Sequence, residues 1–171
     1  MAKKKLNIIG IVFAALILVG LILAIVGMCT PILSNGDLKV SIGLFDDKWA
    51  DLDKLREAAS KANADVTIPS RTFTLISFIV LLIGAVVAVL SAVLDMLGKG
   101  NKIIGLCGGA VAVLGGLLVL IAGLVLASDF TEYSKVVNQS ISAGAGIWLG
   151  FIGGLLAGVP AILGALKVGQ K

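Results

Sequence analysis

The sequence predicts an all-α membrane protein, a bundle of four transmembrane helices with a small strand-plus-helix extracytoplasmic module in the first outer loop. Three observations support this fold class. The chain of 171 residues is 58% hydrophobic with a mean hydropathy of +1.11, and only 14% of its residues are charged. A soluble domain has about a quarter of its residues charged. Four apolar runs are long enough for membrane helices, and one sizeable polar segment separates the first two.

The four apolar runs contain no aspartate, glutamate, lysine or arginine, and each exceeds the roughly 20 residues that cross a bilayer core. They predict helices at 6–28, 72–94, 103–127 and 141–166 within a single membrane domain, 1–171, and leave 29–71 as the outer module. The first run follows three lysines, as a signal peptide would. Its 23 apolar residues are longer than a signal core, so we expect a retained helix.

The distribution of charge predicts the orientation of the spans. The side that holds both termini and the short link between the second and third spans carries seven lysines and one acidic residue, Asp95, whereas the other side carries seven basic and nine acidic residues. Short cytoplasmic segments are enriched in lysine and arginine. We therefore predict a multi-pass protein of the cell (plasma) membrane with both termini in the cytoplasm.

Several classes of chemistry are disfavoured by the residues themselves. The chain has no histidine, which removes the commonest general base and metal ligand. The spans contain no charged residue of the kind that marks proton or ion pathways. Cys29 and Cys107 are predicted at different membrane depths, too far apart for a disulfide, as small core residues. We expect no enzyme activity, cofactor, metal site or nucleic-acid partner, and membrane lipid as the surroundings.

The first outer loop predicts a strand followed by a helix. Asn35-Gly36 is typical of a two-residue hairpin turn, and apolar residues then alternate along a strand. A helix capped by Asp46 or Asp47 follows, with an apolar stripe that continues to Val66 before Ile68-Pro69 ends it. Two placements stay open: the module packs on its own bundle, or its edge meets another copy or partner. The candidate interaction residues of this module are Leu38, Val40, Ile42, Leu44, Phe45, Trp49, Leu52 and Leu55.

Glycines recur at regular spacing in the third and fourth spans. Small residues let the backbones of membrane helices approach closely. Such contacts matter in lipid, because burying leucine against leucine there contributes little free energy. The stripe predicts packing inside one bundle, an oligomer interface, or a groove or pore lined by glycine. The candidate helix-packing or oligomer residues are Gly146, Gly150, Gly154 and Gly158 in the fourth span and Gly109, Gly116 and Gly123 in the third.

The layout of four spans, a long first outer loop and a short second one resembles the claudin and peripheral myelin protein superfamily, including amastin-like and fungal tetraspan proteins. Three segments carry the resemblance: Gly43-Leu44-Phe45, which is similar to the claudin Gly-Leu-Trp, Arg71 just before the second span, and 144–149 at the start of the fourth. The loop lacks the claudin cysteine pair. The resemblance therefore implies lateral or cell-to-cell association through the outer module without that disulfide.

Together these patterns predict a non-catalytic structural or interaction protein of the membrane. It would self-assemble as a homo-oligomer or serve as an accessory subunit of a partner membrane protein. The alternative is an oligomeric channel or small-molecule conduit, with glycines exposing backbone carbonyls to a pore. Asn138-Gln139-Ser140 in the second outer loop matches a glycosylation acceptor.

Overall fold

The computed structural model describes residues 8–35, 40–63, 70–133 and 141–167. Asn138, which matches the glycosylation acceptor, lies outside these ranges. The described chain forms five helices and three short strands. In chain order they are α1 (Ile8–Cys29), β1 (Pro31–Asn35), β2 (Val40–Gly43), α2 (Lys48–Lys61), α3 (Thr72–Met96), α4 (Lys102–Tyr133), β3 (Ser142–Ala143) and α5 (Ala145–Lys167).

Four of the helices, α1, α3, α4 and α5, are long and apolar enough to cross a membrane, and they fit a multi-pass membrane protein. The prediction of four long apolar helices is therefore confirmed. Large side chains such as Ile22, Ile83, Leu114 and Ile152 are exposed on the outside of the bundle. A bundle in water would have to bury such side chains, whereas lipid tails are as apolar as leucine.

The bundle brings each long helix against neighbours on two sides. The largest contacts join α3 to α4, α1 to α5, and α4 to α5, and α1 also contacts α3. These interfaces are lined by small residues, among them Ala85, Ala112 and Ala157, which are fully buried. Close backbone approach in place of large interlocking side chains is the usual packing mode of membrane helices.

The three strands form one antiparallel sheet in the order β2-β1-β3. In the pairing of β1 with β2, Ser34 lies opposite Ser41, and an irregularity falls between Pro31 and Leu33. On the other side of β1, Ser34 pairs with Ser142. The sheet thus contains residues from both loops at this end of the bundle, whereas the sequence predicted only one strand in the first loop.

The Asn35-Gly36 pair does not form the predicted two-residue turn. Asn35 is the last residue of β1 and pairs with Val40, the first residue of β2. Four residues, 36–39, therefore lie between the paired ends of the two strands. The prediction of a two-residue turn at Asn35-Gly36 was wrong, because Asn35 belongs to the strand before the turn. Gly36 and Leu38 lie outside the described residues.

Three helix boundaries differ from prediction by four residues or more. The helix α4 continues past position 127 to Tyr133. The predicted span ended at 127 because the charged Asp129 follows, but the helix continues through this residue. The last helix begins at Ala145, because 142–143 are in the sheet. The short α2 ends at Lys61, well before Ile68-Pro69, and Asn63 follows with a φ of 48°. A left-handed residue just past the last turn terminates a helix, and asparagine tolerates that conformation.

The two cysteines are free and exposed, which corrects the prediction that they are core residues. Small apolar positions inside the bundle are taken by glycine and alanine instead. Exposure to lipid carries little penalty for a thiol, since free cysteine behaves as a small apolar side chain.

One apolar core runs from the sheet into the adjoining halves of the helices. It joins the module and the bundle without a break, so the two parts form one packed unit. Its largest fully buried members are Trp49, Phe78, Ile32, Leu33, Leu44, Leu81, Ile147 and Val119.

Candidate interaction site

Trp49, the second residue of α2, packs the module against the bundle. Its side chain is only 1% exposed. The indole N–H donates a hydrogen bond to the carbonyl of Gly43 at 2.8 Å, and the ring meets Phe130 of α4 edge to face with centroids 5.8 Å apart. A buried tryptophan needs a partner for its N–H, and such aromatic pairs add to the free energy of burial. The module thus packs on its own bundle, one of the two placements left open by the sequence.

Arg71, the residue before α3, makes a second link between the module and the bundle. Its Nη1 donates to the carbonyl of Leu44 at 2.9 Å, and its guanidinium lies 5.9 Å from the centre of the Trp49 ring. A charged donor on a neutral carbonyl makes a stronger hydrogen bond than two neutral groups. Sequence reasoning pointed to Arg71 only through the family resemblance, because no local pattern indicates a partner 27 residues away.

The candidate interaction residues of the module divide into a buried and an exposed group. Leu44 and Trp49 are fully buried, and Ile42 and Leu52 pack partly against the same core. Phe45 is 60% exposed and Leu55 is 48% exposed. The side chain of Val40 and the whole of Leu38 lie outside the described residues. The buried group holds the module in place, and Phe45 with Leu55 is the part available to a partner.

The second loop contributes an element that the sequence did not indicate. Ser142 Oγ donates to the carbonyl of Ser34 at 3.2 Å, and the backbone N–H of Gly144 donates to the carbonyl of Ile32 at 2.8 Å. Two residues are too few to show an alternating pattern. As a result of this pairing, β1 is the central strand, and β2 and β3 are the edges.

The glycines of α5 face other helices of the same chain. A Cβ atom built on Gly154 would lie 2.7 Å from Gly116 Cα, and one built on Gly158 would lie 2.5 Å from the carbonyl oxygen of Gly109. Real Cβ atoms essentially never come under 3.0 Å. At both positions α4 and α5 are in contact backbone to backbone, so a larger residue would force them apart.

The other three candidate glycines also lie at contacts within the chain. A Cβ on Gly146 would approach the carbonyl of Gly27 in α1, at 2.5 Å. One on Gly150 would meet Phe78 Cε1 of α3 at 2.8 Å. The third, on Gly123 of α4, would meet Ile147 of α5 at 2.6 Å. All seven candidate glycines are therefore occupied by packing inside one bundle, and a pore lined by them would require the bundle to open.

Polar groups inside the described part of the bundle are few. The buried polar side chains of the helices are Thr74, Ser77 and Ser91. Ser77 Oγ donates to the carbonyl of Phe73 at 2.8 Å, within its own helix. Across residues 8–35, 40–63, 70–133 and 141–167 no group of three or more aspartate, glutamate or cysteine residues could hold a metal ion.

Replacing Arg71 with glutamine is expected to loosen the module. The variant loses the charged donor to Leu44, at a cost of about 1–3 kcal/mol in the free energy of unfolding. Amide hydrogen exchange along α2 in detergent measures the effect. Lys54→Gln is the matched control, because its ion pair with Asp51 at 3.7 Å is nearly four-fifths exposed and should contribute less than about 1 kcal/mol. Equal loss of protection in both variants would contradict this role for Arg71.

Comparison with known proteins gives no relative: no family model, no curated protein and no solved structure matches this chain.

Proposed function

We propose that the protein is a non-catalytic structural protein of the membrane that associates with a second copy of itself through its outer module. The observation that carries the proposal is the place of β2 at one edge of the sheet, with an exposed aromatic ring directly after it. A Cβ on Gly43, at the end of the edge strand β2, would meet no atom within 4 Å, and the exposed ring of Phe45 follows directly. An edge strand has unpaired N–H and C=O groups on which another chain can pair.

The rigid attachment of the module supports the proposal. Trp49 and Arg71 both bind backbone carbonyls at the end of β2, those of Gly43 and Leu44. The edge and Phe45 are therefore held in one conformation before any partner arrives. Fewer degrees of freedom remain to be lost on association, which favours binding.

The charges of α2 suit a second copy as the partner. Exposed acidic and basic residues are interspersed along this helix, and Lys54 Nζ lies 3.7 Å from Asp51 Oδ1. A surface with both signs interspersed does not repel an identical surface. A partner of strongly basic or acidic character would gain little from it.

We also propose that the module lies outside the cell, with both termini in the cytoplasm and the chain in the plasma membrane. Lys99 and Lys102 support this orientation, because they lie at the turn between α3 and α4, at the end of the bundle opposite the module. Positive residues in short connections mark the cytoplasmic side.

The resemblance to claudin-like tetraspan proteins remains part of the proposal. Its support here is one contact: Leu44, from Gly43-Leu44-Phe45, accepts the hydrogen bond of Arg71. Two of the three segments that carry the resemblance are thus joined in space. Association through the outer module is what that resemblance implies.

Replacing Phe45 with aspartate tests the proposal. The variant places a charge on the exposed apolar position beside β2, and we expect a dimer dissociation constant about tenfold or more above that of the original chain. Native mass spectrometry from a mild detergent, over a series of protein concentrations, measures it. Leu97→Asp makes the same change at an exposed apolar position at the opposite end of the bundle; it is the matched control and should leave the dimer unchanged.

Two results would contradict self-association. One is a monomer at every concentration with no co-purified protein, and the other is equal weakening by Phe45→Asp and Leu97→Asp. A stoichiometric foreign membrane protein in the same spectra would instead indicate an accessory subunit. The conduit alternative predicts conductance in planar bilayers, which a structural protein lacks.

A further inference from the structure

A groove lies between the first turns of α3 and the last turns of α4, near the end that carries the module. Its volume is about 350 Å³. The polar residues at the groove are Ser70, Thr72, Thr74 and Asp129, and the remaining lining is apolar. A concave site with an apolar wall and a few convergent polar groups is the usual form of a small-ligand site.

The hydroxyl of Thr74 gives an independent sign of a ligand. Thr74 is only 1% exposed, and its Oγ1 has no hydrogen-bond partner among the described residues. A helical hydroxyl normally donates to the carbonyl four residues earlier, as Ser77 does to Phe73. A buried hydroxyl without a hydrogen-bond partner lowers the stability of the fold. A group that enters the groove and accepts a hydrogen bond from this hydroxyl would therefore be bound more tightly.

Asp129 supplies a negative charge on the α4 side of the groove. Within the described ranges it forms no ion pair. Arg71, the residue before α3, has its guanidinium turned to the carbonyl of Leu44 and the ring of Trp49. No described residue pairs with this carboxylate, so it offers an acceptor to a cationic donor.

The open side of the groove faces the surface of the bundle that lipid would cover. Phe73, Ile76 and Val125 line the groove, and each is about half exposed on that surface. A ligand that enters from this side must have an apolar part that lies along these side chains. The groove thus fits an amphiphile, with its polar end at Asp129 and Thr74.

We propose that this groove binds a phospholipid whose headgroup carries a primary ammonium, the chemistry of phosphatidylethanolamine. The ammonium donates to the Asp129 carboxylate, and Thr74 donates to a phosphate or ester oxygen. The phosphate lies beside the N-terminal end of α3, where the helix dipole favours negative charge. Choline has no N–H to donate, and an anionic headgroup without a cation is repelled by Asp129, so both bind less well.

The test is native mass spectrometry of the full chain, purified in detergent with equal amounts of phosphatidylethanolamine, phosphatidylcholine and phosphatidylglycerol. We expect phosphatidylethanolamine to be retained preferentially. Asp129→Asn should lower its retention about tenfold, because the ammonium then donates to a neutral amide oxygen in place of a carboxylate. Asp51→Asn removes the same charge from an exposed site in α2 and should leave retention unchanged.

A second variant, Thr74→Val, separates binding from folding. It removes the unpartnered hydroxyl while keeping the shape of the side chain. We expect a higher unfolding temperature than the original chain in lipid-free detergent, together with weaker retention of phosphatidylethanolamine. Thr74→Ser keeps the hydroxyl and should keep the retention.

Four outcomes would overturn the proposal. The first three are equal retention of phosphatidylglycerol and phosphatidylethanolamine, unchanged retention in Asp129→Asn, and a Thr74→Val variant that is stabilised but still retains the lipid. Full displacement by water-soluble glycerophosphoethanolamine would also overturn it, because the site would then recognise a headgroup alone. None of these measurements depends on the self-association of the outer module.

Discussion

Replacing Trp49 with alanine is expected to detach the outer module from the bundle. The variant loses a fully buried indole, its hydrogen bond to Gly43 and its contact with Phe130. Removal of a buried tryptophan costs about 3–5 kcal/mol, a large share of the stability of a typical domain. Limited trypsin digestion in detergent measures the effect. Lys48 and Lys54 are exposed in α2, and trypsin can cleave after them only when this helix unfolds.

Two control variants separate the contributions of Trp49. Trp49→Phe keeps an aromatic ring in the core and loses the N–H donor, so it should cost about 1 kcal/mol. Trp148→Ala removes a tryptophan that is 48% exposed at the start of α5 and should leave the cleavage rate of α2 unchanged. If Trp49→Ala is cleaved no faster than the original chain, the module is held by something other than this residue.

Replacing Gly154 with alanine is expected to destabilise the bundle through a single methyl group. A Cβ at this position lies 2.7 Å from Gly116 Cα and 2.8 Å from the carbonyl oxygen of Ala112. Both are backbone atoms, so no side-chain rotation relieves the contact and α4 must move away from α5. Overpacking of this kind costs about 1–3 kcal/mol, which lowers the unfolding temperature by several degrees.

Gly164 in the same helix provides the matched control for Gly154. A Cβ on Gly164 has Phe13 Cδ2 as its neighbour, at 3.6 Å, which is an ordinary contact. Alanine also has a higher helix propensity than glycine. Gly164→Ala should therefore leave the unfolding temperature unchanged or raise it. Equal melting of the Gly154 and Gly164 variants in detergent would contradict the close approach of α4 and α5.

The four long helices could be predicted because the length and hydropathy of each run suffice for a span. Their ends could not. Asp129 stopped the third predicted span, yet α4 continues through it to Tyr133, where the helix packs against the module through Phe130. Helix ends depend on such tertiary contacts more than on local composition.

The candidate sites were predictable to a different degree. Spacing of four residues identified Gly154 and Gly158 as packing positions, but a stripe of small residues does not say which helix it meets. The partners, Gly116 and Gly109, come from the three-dimensional arrangement. No sequence pattern singles out Thr74, because its lack of a hydrogen-bond partner and its place in the same groove as Asp129 exist only in the folded bundle.

The pairing of β1 with β3 has a consequence for biogenesis. Ser34 and Ser142, which meet in this sheet, are 108 positions apart in the chain. During synthesis, β1 emerges just after α1, but β3, its second neighbour, follows only after α3 and α4 have been made. Until then an open edge faces its surroundings, the kind of surface on which chains aggregate and chaperones act. Completion of this small sheet therefore requires that the chain has been made as far as β3, with α1, α3 and α4 before it.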